Sequence, residues 1–267
     1  MRRSLLFVAL LLCSPAIVAA NETTSAPPPD PTADPLMMTA GFLSWHPDLR
    51  YRLHGLEAMK KQEYEDAFKF FQRAAFYADK PSQGMVAEMY WNGQGTEKDP
   101  VQAYAWMDLA AERGYRGFLG LRERYWNSLD ARQREEAIER GQAVYARYGD
   151  AVAQPRLATQ LRRGRKQVTG SRTGFSGNLQ IMVPGPSGFQ SIDGTKFYDE
   201  RYWDPEQYQQ WHDSIWAEPR VGKVSVGEIE QMESRIPATA PDTDAVEPES
   251  PEALDEELTT PPGQPRS

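Results

Sequence analysis

The sequence predicts a mainly α protein: a short α–α superhelical solenoid over 42–150, a basic segment with a small α+β module over 151–236, and disordered ends. Three observations carry this expectation. A pattern of small and large apolar residues recurs at a displacement of 36 residues, the composition changes after Gly149, and both ends are rich in proline and acids. The chain has 267 residues, 40% hydrophobic and 25% charged, with one cysteine. That balance excludes an integral membrane bundle, a collagen-like chain and a disulfide scaffold, and the length suits one to two domains.

The chain opens on a targeting pattern. Arg2 and Arg3 precede the apolar run Leu5–Leu12, and Val18-Ala19-Ala20 leads to a cut between Ala20 and Asn21. The run is too short to span a bilayer, which takes about 20 residues. Cys13 would anchor a lipoprotein, but Leu12 stands where such anchors need a small residue, and Pro15–Ala20 offers the better cleavage site. The expectation is an exported, periplasmic or secreted chain whose mature form has no thiol. Charge is distributed unevenly. Pro237–Ser267 holds −7 with eight acids and seven prolines, Asn21–Pro35 holds −3, and the body Leu36–Ile236 is neutral. Stretches so poor in large apolar residues cannot offset the entropy of ordering. Residues 21–41 therefore read as a disordered linker and 237–267 as a disordered acidic tail.

The repeat lies between Leu49 and Gly149. Ala67, Phe71, Ala74 and Ala75 recur as Ala103, Met107, Ala110 and Ala111. A period in the thirties built of two helices is the signature of a helical solenoid. Paired alanines let helix backbones approach closely, and the larger residue one turn earlier fills the gap between successive pairs. Asp99 caps a helix that opens on Pro100, with Gln102 completing a variant capping box. Asn92-Gly93-Gln94-Gly95 supplies positive-φ residues for a turn, and Gly114 closes the second helix. A third pair reads at Arg116–Trp126 and Ser128–Tyr148, its alanine register drifted as suits a terminal repeat.

Met85–Gly114, MVAEMYWNGQGTEKDPVQAYAWMDLAAERG, resembles a Sel-one-like repeat at Met89-Tyr90, Gly93, Gly95, Asp99, Ala103, Trp106, Ala110-Ala111 and Gly114. Tyr64–Ala74 is similar to the related tetratricopeptide repeat, with the spacing Y-x2-A-x3-F-x2-A. The resemblance implies a non-catalytic adaptor or scaffold that holds proteins or peptides on a concave helical surface. An ordinary helical bundle with chance echoes is the plain alternative.

From Ala151 to Ile192 there is no acid among six basic residues, Arg156, Arg162, Arg163, Arg165, Lys166 and Arg172. The stretch reads first as a basic connector leaving the solenoid. Its second reading is an anion or headgroup contact through Arg162, Arg163, Arg165, Lys166 and Arg172, helped by a backbone nest within Val168–Gly174. Leu179, Ile181 and Val183 give one strand, and Phe189–Tyr198 a hairpin around Asp193-Gly194, a favoured two-residue turn. Asp204-Pro205-Glu206-Gln207 caps a helix whose Tyr208, Trp211, Ile215 and Trp216 share a face, with Trp203 at a staple position. These aromatics read as core, with sugar stacking the alternative. Val221–Val226 adds a strand and Glu228–Arg235 a final helical turn.

No catalytic constellation emerges. His46 and His54 have no third ligand spaced for zinc, and His212-Asp213 has no serine in a nucleophile elbow. His212 reads as a surface or capping histidine, and Glu63 and Glu65 as solvated helix residues. Neither metal nor cofactor is expected, and nucleic acid is not an expected partner. The alternative to an adaptor is a cell-envelope module recognising peptidoglycan or anionic lipid, and behind that an enzyme of unfamiliar type.

Overall fold

The computed structural model describes residues 38–169, 180–185, 188–217 and 234–236. The leader with its Ala20–Asn21 cut, Gly170–Gly174 with Arg172, the strand expected at Val221–Val226 and the acidic tail lie outside them. The chain enters at a single turn, α1 (Ala40–Leu43), then α2 (Pro47–Lys61). Phe42 is fully buried. Its burial fixes that turn, so the linker read as running to residue 41 ends earlier.

Two helix pairs follow from the repeat. The first joins α2 to α3 (Tyr64–Ala75), and the second joins α4 (Lys80–Asn92) to α5 (Pro100–Ala110). All four repeat positions of α3 and their α5 counterparts Ala103, Met107 and Ala110 are fully buried, and Ala111 nearly so. The aromatic acts differently from the sequence reading. A Cβ on Gly55 of α2 would lie 2.6 Å from the Phe71 ring, so Phe71 fills a gap inside its own pair. Asp99 caps α5 by accepting from Val101 N and Gln102 N, both at 3.0 Å. The variant box is only half formed, because the Asp99 N–H donates instead to the Tyr90 carbonyl at 3.0 Å. The α5 helix tightens into a 3-10 turn, Ala111–Arg113, closed by Gly114 at φ 72°.

The third pair is α6 (Arg116–Ser128) and α7 (Ala131–Tyr148). Ser128 ends α6 rather than opening α7. The α7 helix starts behind Asp130, which forms a complete capping box: Gln133 N donates to Asp130 Oδ1 at 2.8 Å, and Asp130 N to Gln133 Oε1 at 3.0 Å. The drifted register resolves into a displacement of 34 residues, since Ala137, Gly141, Val144 and Tyr145 are the buried positions matching Ala103, Met107, Ala110 and Ala111. The link from α6 to α7 is only Leu129-Asp130, where Gly93–Asp99 joins α4 to α5.

The basic stretch then departs from expectation. It forms α8 (Asp150–Thr169), a helix of 20 residues and so about 30 Å long. Instead of leaving the repeats, α8 returns across them. Leu157 and Leu161 pack with Tyr51 and Ala74 of the first pair and with Tyr77 just after it, and a Cβ on Gly164 would lie 2.5 Å from Trp45 and 2.6 Å from Trp203. Ala153, Leu157 and Leu161 recur at helical spacing on one buried face, which is why a basic helix can lie against the repeats.

A two-stranded antiparallel hairpin follows, β1 (Gln180–Gly185) with β2 (Gly188–Asp193), Gly185 opposite Gly188. Asp193-Gly194 is thus not a hairpin tip: Asp193 lies at the far end of the pairing, opposite Gln180. Asp193 Oδ1 accepts from Thr195 N at 2.8 Å and starts α9 (Gly194–Phe197), so no third strand forms among the described residues. The chain continues as α10 (Glu200–Trp203) and α11 (Pro205–Trp216), whose Asp204 cap accepts from Glu206 N and Gln207 N. Phe197, Tyr198, Tyr202 and Trp203 enclose Phe42 and Leu49, and Tyr208 joins the cluster of Tyr51 and Leu161. The staple at α11 is indirect: the His46 ring sits between Trp203 and Tyr208, with centroids 4.9 and 5.4 Å away.

Candidate functional site

The seam where α5, α6 and α7 meet carries the most specific surface chemistry. Each helix contributes: Asp108 from α5, Arg122, Glu123 and Trp126 from α6, and Gly141 and Tyr145 from α7. Asp108 is fully buried, and its Oδ2 accepts from the Tyr145 hydroxyl at 3.0 Å. Burial pushes its carboxyl above the usual range, opposed by the hydroxyls of Ser234 and Tyr145 and the charge of Arg122. Three residues from far along the chain, Ser234-Arg235-Ile236, sit in this seam. The Ser234 hydroxyl donates to Asp108 Oδ2. The Arg235 guanidinium grips both Glu123 oxygens at 2.9 Å and lies 4.8 Å above the Trp126 ring. Ile236, 1% exposed, occupies the hollow over Gly141, where a Cβ would overlap it. Of the final helical turn expected at Glu228–Arg235, only Ser234 and Arg235 are described, and neither is helical.

The paired helices, the closing glycines and the buried small residues are those of a known repeat. The Sel1 repeat model matches residues 50–75 and 81–115, which are the α2–α3 and α4–α5 pairs. The chain carries Sel1 repeats. Compared with curated proteins and with solved structures, it matches none. Sel1 repeats generally mediate protein–protein interaction and are generally non-catalytic modules. The residues that define the Sel1 pattern here serve backbone geometry and packing. Gly93 and Gly95 both hold φ at 69°. A Cβ on Gly95 would also overlap the Tyr64 carbonyl at the start of α3, so this loop packs one Sel1 pair on the other.

A second concentration of polar groups lies where α8 and α11 close over the Sel1 repeats. Lys80, 1% exposed, donates to the Leu109 carbonyl at 3.0 Å and to Glu112 at 2.6 Å, and pairs with Asp150 at 3.1 Å. Arg113 grips Asp150 through Nε at 2.6 Å and Nη2 at 3.0 Å, and reaches the Ala78 carbonyl and Asp213. Burial works to raise the Asp150 carboxyl, but Lys80 and Arg113 together hold it well below the carboxylate range. Deeper in, the Tyr208 hydroxyl donates to Asp48 at 2.6 Å, and Arg52 pairs with Asp79 at 3.2 Å. Burial pushes both Asp48 and Asp79 up to about 6.

His212 is buried rather than on the surface, 6% exposed, because α11 turns that face onto the repeats. Burial and then the charges of Arg52 and Arg113 hold its ring well below the ordinary histidine range, and so neutral. With Asp48, Arg113, Arg162 and Tyr208 it lines a cleft of about 280 Å³. None of the lining residues is a serine, threonine or cysteine. The Tyr208 hydroxyl is taken up by Asp48 Oδ2, so the contact joins α2 to α11. Sequence reasoning missed both groups because their partners lie up to 160 positions apart.

The basic residues separate on α8. Arg156 lies 3.9 Å over the Phe76 ring and donates to the Arg147 carbonyl at 2.6 Å, so it belongs to the packing. Arg165 pairs with Glu200 at 3.3 Å. Arg162, Arg163 and Lys166 are exposed. The aromatics of α9–α11 are largely withdrawn from solvent: Phe197, Tyr198, Tyr202, Trp203 and Tyr208 are buried, and Trp211 and Trp216 half-buried. Among the described residues no group of three His, Cys, Asp or Glu side chains is placed to hold a metal.

Proposed function

We infer that this chain is an exported, periplasmic adaptor that binds other proteins through its Sel1 repeats and does no chemistry of its own. The observation that supports the reading is the seam of α5, α6 and α7, which holds the tripeptide Ser234-Arg235-Ile236 by side-chain-specific contacts. Export rests on the leader pattern ending at Ala20, and intact mass of the secreted chain is expected to start at Asn21 without fatty-acyl mass. Adaptor activity is tested by affinity capture from envelope extract with the full chain. A protein retained at a fixed stoichiometry, and lost when Glu123→Arg is introduced, supports it; retention only of cell wall or lipid overturns it.

Exposed Arg162, Arg163 and Lys166 on one helix favour a second reading, attraction to an anionic envelope surface. Such contacts weaken steeply with salt, since exposed charges are screened within about 8 Å at physiological ionic strength. Reversing these three charges is then expected to abolish sedimentation with anionic vesicles at low salt, and deleting 237–267 to strengthen it by unmasking them. A parent chain that ignores the vesicles at low salt sinks this second reading.

A further inference from the structure

Ser234-Arg235-Ile236 engages the repeats as a ligand engages a receptor. Each of its three consecutive side chains meets a different prepared feature. The hydroxyl meets a carboxylate that is itself fully buried, and the guanidinium meets a two-oxygen fork and an indole face. The aliphatic group enters a hollow that exists only because position 141 has no side chain. Without the tripeptide, Asp108 would keep the Tyr145 hydroxyl and Arg122, but the hollow over Gly141 would be empty and the Glu123 fork would lose its bidentate partner.

We propose that the seam between α5, α6 and α7 is a peptide-binding site for short segments reading hydroxyl, arginine, aliphatic, and that Ser234-Arg235-Ile236 is its resident ligand, displaced by a partner's segment of the same chemistry. The proposal rests on the adaptor reading of these repeats and names what they recognise. The selectivity follows from the contacts. A lysine cannot span both Glu123 oxygens as the planar guanidinium does, and an acidic residue there meets like charge. A residue larger than isoleucine or leucine overfills the hollow over Gly141. Covalent attachment presents the resident segment at an effective concentration on the order of millimolar, so a partner must bind more tightly than the free tripeptide or arrive in several copies.

The test uses the full chain and a fluorescent peptide QMESRIPAT, residues 231–239, read by anisotropy. A chain vacated by Ser234→Ala, Arg235→Glu and Ile236→Asp is expected to bind the peptide at least about tenfold more tightly than the parent, whose site is occupied. Changing the peptide's arginine to alanine is expected to cost at least about tenfold, the scale of a lost charge-assisted hydrogen bond. Glu123→Arg in the vacated chain is expected to abolish binding and to accept instead a peptide with glutamate at that place. Equal binding by vacated and parent chains, or equal binding of a scrambled peptide, overturns the proposal. Should the vacated chain lose the parent's helicity, the single Arg235→Glu chain carries the same readings. Unfolding of both would make the segment a structural staple and overturn it too. Failure here with partner capture intact refutes this inference alone. Peptide binding without any captured protein refutes the adaptor reading and leaves the site standing.

Discussion

Both ring nitrogens of His46 lie 2.8 Å from carbonyl oxygens, those of Phe42 and Tyr202, an arrangement that suits an imidazolium. Full burial opposes the charge more strongly and lowers the ring to about 4 from 6.5, so it is neutral and only one carbonyl receives a proton. Linkage then has a definite sign. The stability carried by neutral His46 is complete above pH 6.5 and is lost as pH falls through about 4. Asp48 and Asp79 act oppositely: raised from 3.8 to about 6, they favour the fold most below 3.8 and lose that contribution as pH rises through 6. Replacing His46→Gln is therefore expected to gain stability relative to the parent as pH falls from 6.5 toward 4, measured by chemical denaturation across that range. A difference that stays flat would mean that the ring takes up its proton in the folded chain as readily as in the unfolded one.

Among the elements, α5 carries the heaviest packing. Every residue from Ala103 to Ala110 is buried, because α4, α6 and α7 all lie against it. Replacing Ala110→Arg forces a long charged side chain into a fully closed contact, and the expected cost is at least about 3 kcal/mol in denaturant unfolding. A change within about 0.5 kcal/mol, the range of surface substitutions, would contradict the pairing. This helix was legible in the sequence because its small residues repeat those of α3 and its cap is an Asp-Pro pair. The third pair was legible as helices but not in register, since a link of two residues shortened its period, Val144 and Tyr145 stand in place of the paired alanines, and Gly141 stands in place of Met107. The course of α8 was not legible. Its run of arginines hides a sparse apolar face of Ala153, Leu157 and Leu161, and nothing local says which surface that face covers. The seam was equally opaque, because Ser234-Arg235 reads in sequence as the end of a final helical turn, and nothing local says which surface it meets.

For the whole molecule, the segment after α8 is coupled to the first Sel1 pair and does not behave as a separate body. Tyr208 reaches Asp48, Trp203 covers His46, and Arg113 ties α8 and α11 to the second pair. Replacing Tyr208→Phe leaves a buried carboxylate oxygen without its donor, at an expected cost of about 1–3 kcal/mol. Because the parts are joined, that loss is expected in the single unfolding transition followed by far-UV circular dichroism, which reports mainly the repeats. A Tyr208→Phe chain whose helical transition stays put, while tryptophan fluorescence shifts earlier, would show two independent units instead.

An open row of repeats can lengthen when a pair is copied onto its end. Here the start of the row is occupied, with Phe42 and Leu49 under Phe197, Tyr202 and Trp203, and Tyr51 under Leu161 and Tyr208. A further pair copied ahead of α2 would find no apolar face to rest on and would have to displace the chain's own returning helices. Descendants of this gene are thus expected to vary inside the array, in loops such as Gly93–Asp99, while the number of pairs ahead of α2 stays fixed.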